Sequence, residues 1–199
     1  MTRTFIAADL DDATRDALAR LLRRVSRALP TARVPAPETL HITLAFLGDL
    51  DDLRIEDAIQ ATRETAAGAA PFWLALGRIG VFGPDHAPRI VWLGIGGQTG
   101  RMRALQRGLT RALEARGFTP DDKPFSPHLT LARLTSPLDD AAALRLQQLR
   151  SEPPPRADSW RVEDVRVMRS DLARAGARYT PMAIIPLDAP LQEPPDIHS

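Results

Sequence analysis

The chain contains two copies of a short phrase in which a histidine is followed, two residues later, by a threonine. The copies are His41-Ile42-Thr43-Leu44-Ala45-Phe46 and His128-Leu129-Thr130-Leu131-Ala132-Arg133. Because alternate residues of a β-strand face the same side, each histidine would share a face with its threonine. Two such strands side by side would form a site with two imidazoles and two hydroxyls.

Two imidazoles on opposite sides of a phosphate ester have the chemistry needed to cleave it. One takes a proton from water and the other gives a proton to the departing oxygen. Histidine suits both tasks because its ordinary pKa of about 6.5 makes both protonation states available, and positioned proton transfer contributes about 10²–10⁴-fold. Thr43 and Thr130 could donate hydrogen bonds to the non-bridging oxygens, and Arg133 is the nearest cation for their charge.

This scheme requires neither a metal ion nor a cofactor, and the sequence offers no convincing metal site. The chain has no cysteine, and its four histidines are scattered at positions 41, 86, 128 and 198 without a His-x-x-x-His spacing. Zinc sites normally combine cysteine and histidine at short, regular spacings. We therefore expect no metal and no cofactor.

Length and charge limit what surrounds the site. The 199 residues include 26 basic and 25 acidic side chains, for a formal net charge of +1. This near-neutral net charge gives no electrostatic reason to expect binding of long nucleic acid. A small anion or an RNA end is still compatible as a ligand. The absence of cysteine, of an apolar N-terminal stretch long enough for a signal peptide and of an ~18-residue apolar run leads us to expect a cytoplasmic protein without membrane contact. Nothing in the sequence determines the oligomeric state, and we take the protein to be a monomer.

The elements that must position the repeats follow from hydrophobic periodicity and turn signals. We predict strands over 4–10, 41–48, 72–81, 89–95, 128–133, 160–169 and 178–187, and helices over 12–29, 53–67, 99–115 and 138–149. Trp73, Trp92 and Trp160 are expected to pack in the core. The second half of the chain thus repeats the order of the first.

This repetition predicts an α+β fold made of a duplicated unit. We expect two lobes related by a pseudo-twofold axis, with two antiparallel sheets lining a central cleft and helices on the outside. The repeats are 87 residues apart, which is too far for a solenoid period. We expect a single two-lobed domain over residues 1–188, followed by a proline-rich tail over 189–199.

The residues that carry the repetition resemble the two-histidine phosphoesterase superfamily, in particular its RNA 2′,3′-cyclic phosphodiesterase branch, also described as 2′-5′ RNA ligase. The likeness covers the opening at residues 4–10, the two motifs at 38–48 and 125–133, the central segment at 82–83 and 88–94 and the closing segment at 170–179. One His-x-Thr alone would be weak evidence, whereas two copies in this flanking order are specific.

The resemblance implies an activity and assigns roles that the spacing leaves interchangeable. It implies an enzyme that hydrolyses 2′,3′-cyclic phosphates of RNA ends or nucleotides to terminal 2′-phosphates. His41 would be the proton donor and His128 the proton acceptor. The resemblance also makes Phe46 a base-stacking residue and Arg133 a contact to phosphate.

Strict alternation along a strand would turn Phe46 and Arg133 away from the histidine face, because each lies five residues after its histidine. We therefore predict a strand end or a β-bulge near each of them. A regular strand with the guanidinium of Arg133 in bulk solvent would contradict its assignment.

Two alternatives remain open at this stage. One is RNA ligation, with an RNA hydroxyl in place of water. The other is a binding protein that recognises a nucleotide or RNA end without turnover. The presence of both histidines and both threonines argues against a pure binder, which has no need of an acid and a base.

Overall fold

The structure is a computed structural model that describes residues 1–84, 87–119, 124–155, 159–173 and 176–188. The strands are β1 (Thr2–Ala8), β2 (Ile42–Leu50), β3 (Phe72–Phe82), β4 (Ile90–Gly97), β5 (His128–Arg133), β6 (Trp160–Val162), β7 (Asp164–Ala173) and β8 (Gly176–Pro186). The helices are α1 (Asp12–Ala28), α2 (Asp52–Ala67), α3 (Thr99–Glu114) and α4 (Asp140–Ser151), with one 3₁₀ turn at Pro37–Thr39. The tail at 189–199 lies outside the described residues, as do His86 and His198.

Of the four helices in the described residues, three begin at an aspartate that caps the first turn. The carboxylates of Asp11, Asp51 and Asp139 each accept a hydrogen bond from the backbone N–H three residues later. An acceptor at this position satisfies an N–H that has no partner within the helix. The starts of α1, α2 and α4 are therefore fixed by local sequence.

The strands form two four-stranded sheets in which every pairing is antiparallel. The first sheet has the order β2-β1-β7-β8 and the second has the order β5-β4-β3-β6. The predicted α+β fold with two antiparallel sheets and a repeated order of elements is confirmed. The two histidine motifs lie on or beside β2 and β5, which hold equivalent edge positions in the two sheets.

Each half of the chain contributes two strands to each sheet. Strand β3 follows α2 but pairs with β4 in the second sheet, and β7 follows α4 but pairs with β1 in the first. A lobe is therefore not a continuous stretch of sequence. The predicted strand over 160–169 is wrong for this reason, because it divides at Glu163 into β6 of the second sheet and β7 of the first.

The core lies on the helix-bearing faces of both sheets and is continuous. Ile6 on β1, Leu18 on α1, Leu93 on β4 and Leu109 on α3 all belong to one cluster of buried side chains. Trp160 is also part of this cluster, as predicted, whereas the expectation for Trp73 is wrong because 48% of its surface is exposed. Within the described residues, no helix is both long and apolar enough to cross a membrane.

Candidate active site

The two histidines are held in the same way, each at the start of an edge strand. His41 immediately precedes β2, and its Nδ1 lies 2.8 Å from the carbonyl oxygen of Thr39. His128 begins β5, and its Nδ1 lies 2.7 Å from the carbonyl oxygen of Ser126. Because a carbonyl oxygen only accepts, each Nδ1 must carry the hydrogen. In the neutral imidazole, Nε2 is then the atom that can accept a proton.

β-Bulges return the last residue of each repeat to the cleft face, as predicted from the family resemblance together with the strand period. In the first sheet Thr43 pairs with Ala7 and Ala45 with Ile6, so Leu44 is the extra residue. In the second sheet Thr130 pairs with Trp92 and Ala132 with Val91, so the extra residue is the equivalent leucine, Leu131. An extra residue shifts the alternation of the side chains that follow by one position.

These elements enclose a cleft of about 1190 Å³ that collects every residue assigned to the site from sequence. Its lining includes both histidines, both threonines, Phe46 and Arg133. Neither threonine hydroxyl has a hydrogen-bond partner in the part of the chain that the structure describes, so both remain able to donate to a ligand. The arrangement brings two bases, two hydroxyl donors and a cation to one space.

The charge of the cleft differs from that of the whole chain. Arg3, Arg33 and Arg133 line it, and no carboxylate does so among the described residues. Arg3 lies over the ring of Phe46, with 4.8 Å between the guanidinium carbon and the ring centroid. Cations without nearby carboxylates favour an anionic ligand. The cleft is therefore positively charged, although the net charge of the whole chain is close to zero.

Aromatic side chains flank both imidazoles, and sequence reasoning did not assign this role to them. The His41 ring stacks on Phe5 at 4.6 Å between centroids and meets Tyr179 edge-on at 5.1 Å. The His128 ring meets Phe82 edge-on at 5.0 Å. These contacts restrict the orientation of the two rings.

Trp92 is the second aromatic neighbour of His128. The centroids of the two rings are 6.4 Å apart, and Phe82 packs against the Trp92 indole at 5.2 Å. Trp92 is half-buried beside the cleft rather than enclosed in the main core. The signal for these neighbours was available only as flanking residues of the family resemblance, since they come from strands distant in sequence.

An ion-pair network stabilises the turn that contains Thr39, whose carbonyl oxygen accepts the hydrogen bond from His41. The Arg15 guanidinium donates to the carbonyl oxygens of Pro37 at 2.9 Å and Leu40 at 3.3 Å, and pairs with the Asp9 carboxylate at 2.5 Å. Asp9 also pairs with Arg166. Arg15 thus ties α1 to the residues on both sides of Thr39.

Burial and these charges act on the protonation of His41. Burial lowers the pKa of His41 below its ordinary 6.5, and this effect outweighs the hydrogen bond to Thr39 and the charge of Asp9, which raise the pKa. The charges of Arg15 and His128 add to the lowering. In the free protein, neutral imidazole is therefore favoured at His41 near neutral pH.

The described residues contain no group of three or more histidine, aspartate or glutamate side chains placed to bind a metal ion. The chemistry that these residues themselves can supply is proton transfer and hydrogen bonding to an anion.

Comparisons with known proteins agree with this geometry. The 2′-5′ RNA ligase superfamily matches residues 14–174 of the chain. A protein of Methanothermobacter thermautotrophicus named RNA 2′,3′-cyclic phosphodiesterase is 33% identical over 186 residues, which cover 93% of this chain and 98% of the relative. A protein of Aeropyrum pernix with the same name is 30% identical, and the matched residues cover 81% of this chain and 90% of the relative.

Two solved structures share the fold over nearly the whole chain. A crystal structure of a Thermus thermophilus protein superposes with a TM-score of 0.77 at 30% identity, covering 94% of this chain and 98% of that one. E. coli LigT complexed with 3′-AMP superposes with a TM-score of 0.74 at 26% identity, covering 94% and 99% of the two chains. The chain belongs to the 2′-5′ RNA ligase superfamily.

Proposed function

We propose that this protein hydrolyses 2′,3′-cyclic phosphates of RNA ends or nucleotides to terminal 2′-phosphates, without a metal or cofactor. The observation that carries the proposal is the matched pair of histidines. Each Nδ1 is bonded to a carbonyl oxygen two residues earlier, which leaves each Nε2 for proton transfer. Relatives named RNA 2′,3′-cyclic phosphodiesterase that match most of the chain support the same activity.

In the proposed reaction, water attacks phosphorus while the bond from phosphorus to the ribose 3′ oxygen breaks. Nε2 of His128 accepts a proton from the attacking water, and Nε2 of His41 gives a proton to the departing oxygen. The products are a 2′-phosphate and a free 3′ hydroxyl. Each histidine ends the step in the opposite protonation state, and exchange with solvent restores it.

The lowered pKa of His41 is compatible with its role as the acid. A phosphate anion that enters the cleft attracts a proton to the buried imidazole and offsets the cost of burying the imidazolium. Once protonated, an imidazole with a lowered pKa gives up its proton readily. Protonation of His41 would thus accompany substrate binding.

The other cleft residues would bind substrate. The hydroxyls of Thr43 and Thr130 would donate to the two non-bridging oxygens and hold the phosphate in line between the histidines. Arg133 would balance the charge that grows on those oxygens. Phe46, with 47% of its surface exposed, would stack against the terminal base.

A single chain supplies both histidines, which supports a catalytic monomer formed by residues 1–188, with 189–199 as a tail. We also propose that it acts in the cytoplasm, where RNA ends and nucleotides are available as substrates.

The primary test is hydrolysis of uridine 2′,3′-cyclic phosphate in the presence of a chelator, with identification of the product isomer. We expect the wild type to form the 2′-phosphate, and His41→Ala and His128→Ala each to lose about 10²–10⁴-fold in kcat. Thermal melts of the variants control for loss of fold. A folded wild type without turnover, or full activity in either variant, would refute the proposal.

A second substrate separates the acid from the base. A p-nitrophenyl phosphodiester has a leaving group that needs no proton, so the absence of the acid matters less for it. His41→Ala should therefore lose much less activity on this substrate than on the cyclic phosphate, whereas His128→Ala should be impaired on both. The opposite pattern would exchange the two roles.

RNA ligation is the second candidate, because the superfamily to which the chain belongs carries that activity in its name. The same groups would keep their roles: His128 would accept the proton of an attacking RNA hydroxyl in place of water, and His41 would give a proton to the departing 3′ oxygen. Water is far more abundant than any RNA hydroxyl, so hydrolysis should dominate. Incubation of two RNA fragments, one of them ending in a cyclic phosphate, would reveal any 2′-5′-linked product.

A further inference from the structure

Arg33 lies beside Arg133 although the two residues are 100 positions apart and belong to different halves of the chain. The backbone N–H of Arg33 donates to the carbonyl oxygen of Arg133 at 2.9 Å, and the N–H of Arg133 donates back to Arg33 at 2.9 Å. Residues in such a reciprocal antiparallel pair have Cα atoms about 5.5 Å apart and side chains on the same face. The two arginines are therefore immediate neighbours.

This pairing is unfavourable for the free protein, because like charges directly opposite each other in an antiparallel pair repel. Both side chains are exposed and line the cleft. Neither guanidinium forms an ion pair or a hydrogen bond with any residue that the structure describes. An anion between or beside them would relieve the repulsion.

The cleft holds more cationic charge than one cyclic phosphate requires. A nucleoside 2′,3′-cyclic phosphate carries a single negative charge, whereas Arg3, Arg33 and Arg133 all line the cleft without a carboxylate among the described residues. Its volume of about 1190 Å³ also exceeds the range of about 300–1000 Å³ that is usual for small-molecule sites. Charge and space both fit a ligand with more than one phosphate.

We propose that Arg33 forms, beside Arg133, a subsite for the phosphodiester on the 5′ side of the terminal nucleoside, so that the protein favours RNA ends over free cyclic nucleotides. This inference rests on the proposed function and extends it to the form of the substrate. Arg133 binds the reacting phosphate, and Arg33 binds the phosphodiester next to it. The planar guanidinium of Arg33 suits the two non-bridging oxygens of a phosphodiester.

The test compares kcat/KM for uridine 2′,3′-cyclic phosphate and for a hexauridylate with the same terminus. Arg33→Ala should reduce kcat/KM for the RNA by about ten- to a hundredfold more than for the nucleotide. Because both bonds between Arg33 and Arg133 are made by the backbone, the substitution leaves their pairing in place. Arg33→Lys, which keeps the charge but loses the planar fork, should give an intermediate loss.

The matched control is Arg23→Ala. Arg23 is an exposed arginine on α1 that does not line the cleft, and its removal changes the net charge equally. It should leave the ratio of the two substrates unchanged. For the RNA, Arg33→Ala should also reduce the slope of log affinity against log salt by about 0.7, the value for one phosphate contact on a single strand.

Two results would overturn the inference. An equal loss on both substrates would place Arg33 at the reacting phosphate, and no loss on either would make it a solvent residue. If the wild type hydrolyses neither substrate, the proposed function fails separately. The subsite is then tested by anisotropy with a 5′-fluorescein hexauridylate that ends in a 2′-phosphate, which Arg33→Ala should bind more weakly and Arg23→Ala as the wild type does.

Discussion

Phe46 and Trp73 expose almost the same fraction of their surfaces, 47% and 48%, yet only Phe46 lines the cleft. The comparison shows why exposure alone does not identify a ligand contact. Phe46 lies on the histidine face because Leu44 bulges, and one side of its ring is near the guanidinium of Arg3. A base that stacks on the Phe46 ring would add a second contact to a ring that already contacts the guanidinium of Arg3.

We expect Phe46→Ala to raise KM for uridine 2′,3′-cyclic phosphate by about tenfold or more and to change kcat much less. Stacking of a base on an aromatic ring is worth about 1–3 kcal/mol and is made before the reaction begins. Phe46→Trp should keep most of the affinity. Trp73→Ala removes an equally exposed aromatic ring outside the cleft and should leave KM unchanged. Equal effects of the two alanine substitutions would contradict the stacking role.

At this scale the sequence was most informative about residues whose spacing repeats. His41, Thr43, His128 and Thr130 could be assigned because two copies of one pattern are improbable by chance and the strand period puts each pair on one face. The carbonyl acceptor of each histidine could not be predicted, because it depends on backbone geometry before the strand. The pairing of Arg33 with Arg133 joins residues 100 positions apart, and no local pattern indicates it.

At the scale of elements, the strand pair β3–β4 supports His128 through a contact that only glycine permits. Gly80 pairs with Trp92, and a Cβ at Gly80 would lie 2.2 Å from the nearest atom of the indole ring. The indole in turn packs beside His128 and against Phe82. The absence of a side chain at Gly80 therefore determines where Trp92, and through it His128, can lie.

We expect Gly80→Ala to displace the Trp92 indole, and with it His128, and to reduce kcat by about 10²-fold, the scale of loss that a displacement of about 1 Å in a catalytic group can cause. Overpacking of this kind should also lower the free energy of unfolding by about 1–3 kcal/mol. The measurements are kcat and urea denaturation at one temperature.

The control is Gly100→Ala on α3, where nothing lies within 4 Å of the added Cβ. It should leave kcat unchanged and increase stability by up to about 1 kcal/mol, because alanine favours the helix. If Gly80→Ala retained the activity of the wild type, Trp92 would have no part in positioning His128.

The bulges and the divided strand show which features of the strands can be predicted from sequence patterns and which cannot. Both bulges could be predicted, because the family resemblance placed Phe46 and Arg133 on a face from which strict alternation would exclude them. The division of 160–169 at Glu163 could not, since the residues on both sides favour strand. Only the pairing of β6 with β3 and of β7 with β1 separates them, and pairing partners distant in sequence leave no local signal.

At the scale of the whole molecule, the placement of β3 in the second sheet and of β7 in the first links the two sheets covalently and by packing. Each sheet requires strands from both halves, and one cluster of buried side chains includes members from both sheets and from each of the four helices in the described residues. We therefore expect the sheets to unfold together. Local features of the cleft should then be detectable in the free energy of global unfolding.

Burial of His41 is one such feature, because it couples the stability of the molecule to pH. In the unfolded chain His41 should titrate near its ordinary pKa of about 6.5, whereas burial lowers its pKa in the folded protein. Between the two values the unfolded state binds more protons, so stability falls as the pH decreases from about 6.5 through the folded pKa. Above 6.5, His41 should not contribute to the pH dependence.

We expect His41→Asn to remove this contribution. The asparagine amide can donate to the Thr39 carbonyl in place of Nδ1 but does not titrate, so the variant should be less stable than the wild type at pH 8 because packing against Phe5 and Tyr179 is lost. This deficit should shrink as the pH falls below 6.5, because only the wild type then loses stability through His41. Urea denaturation at pH 8, 7, 6 and 5 measures the deficit directly. A deficit that stays constant or grows towards acid pH would mean that the fold does not penalise the protonated imidazole, and that His41 can carry its proton before any phosphate arrives.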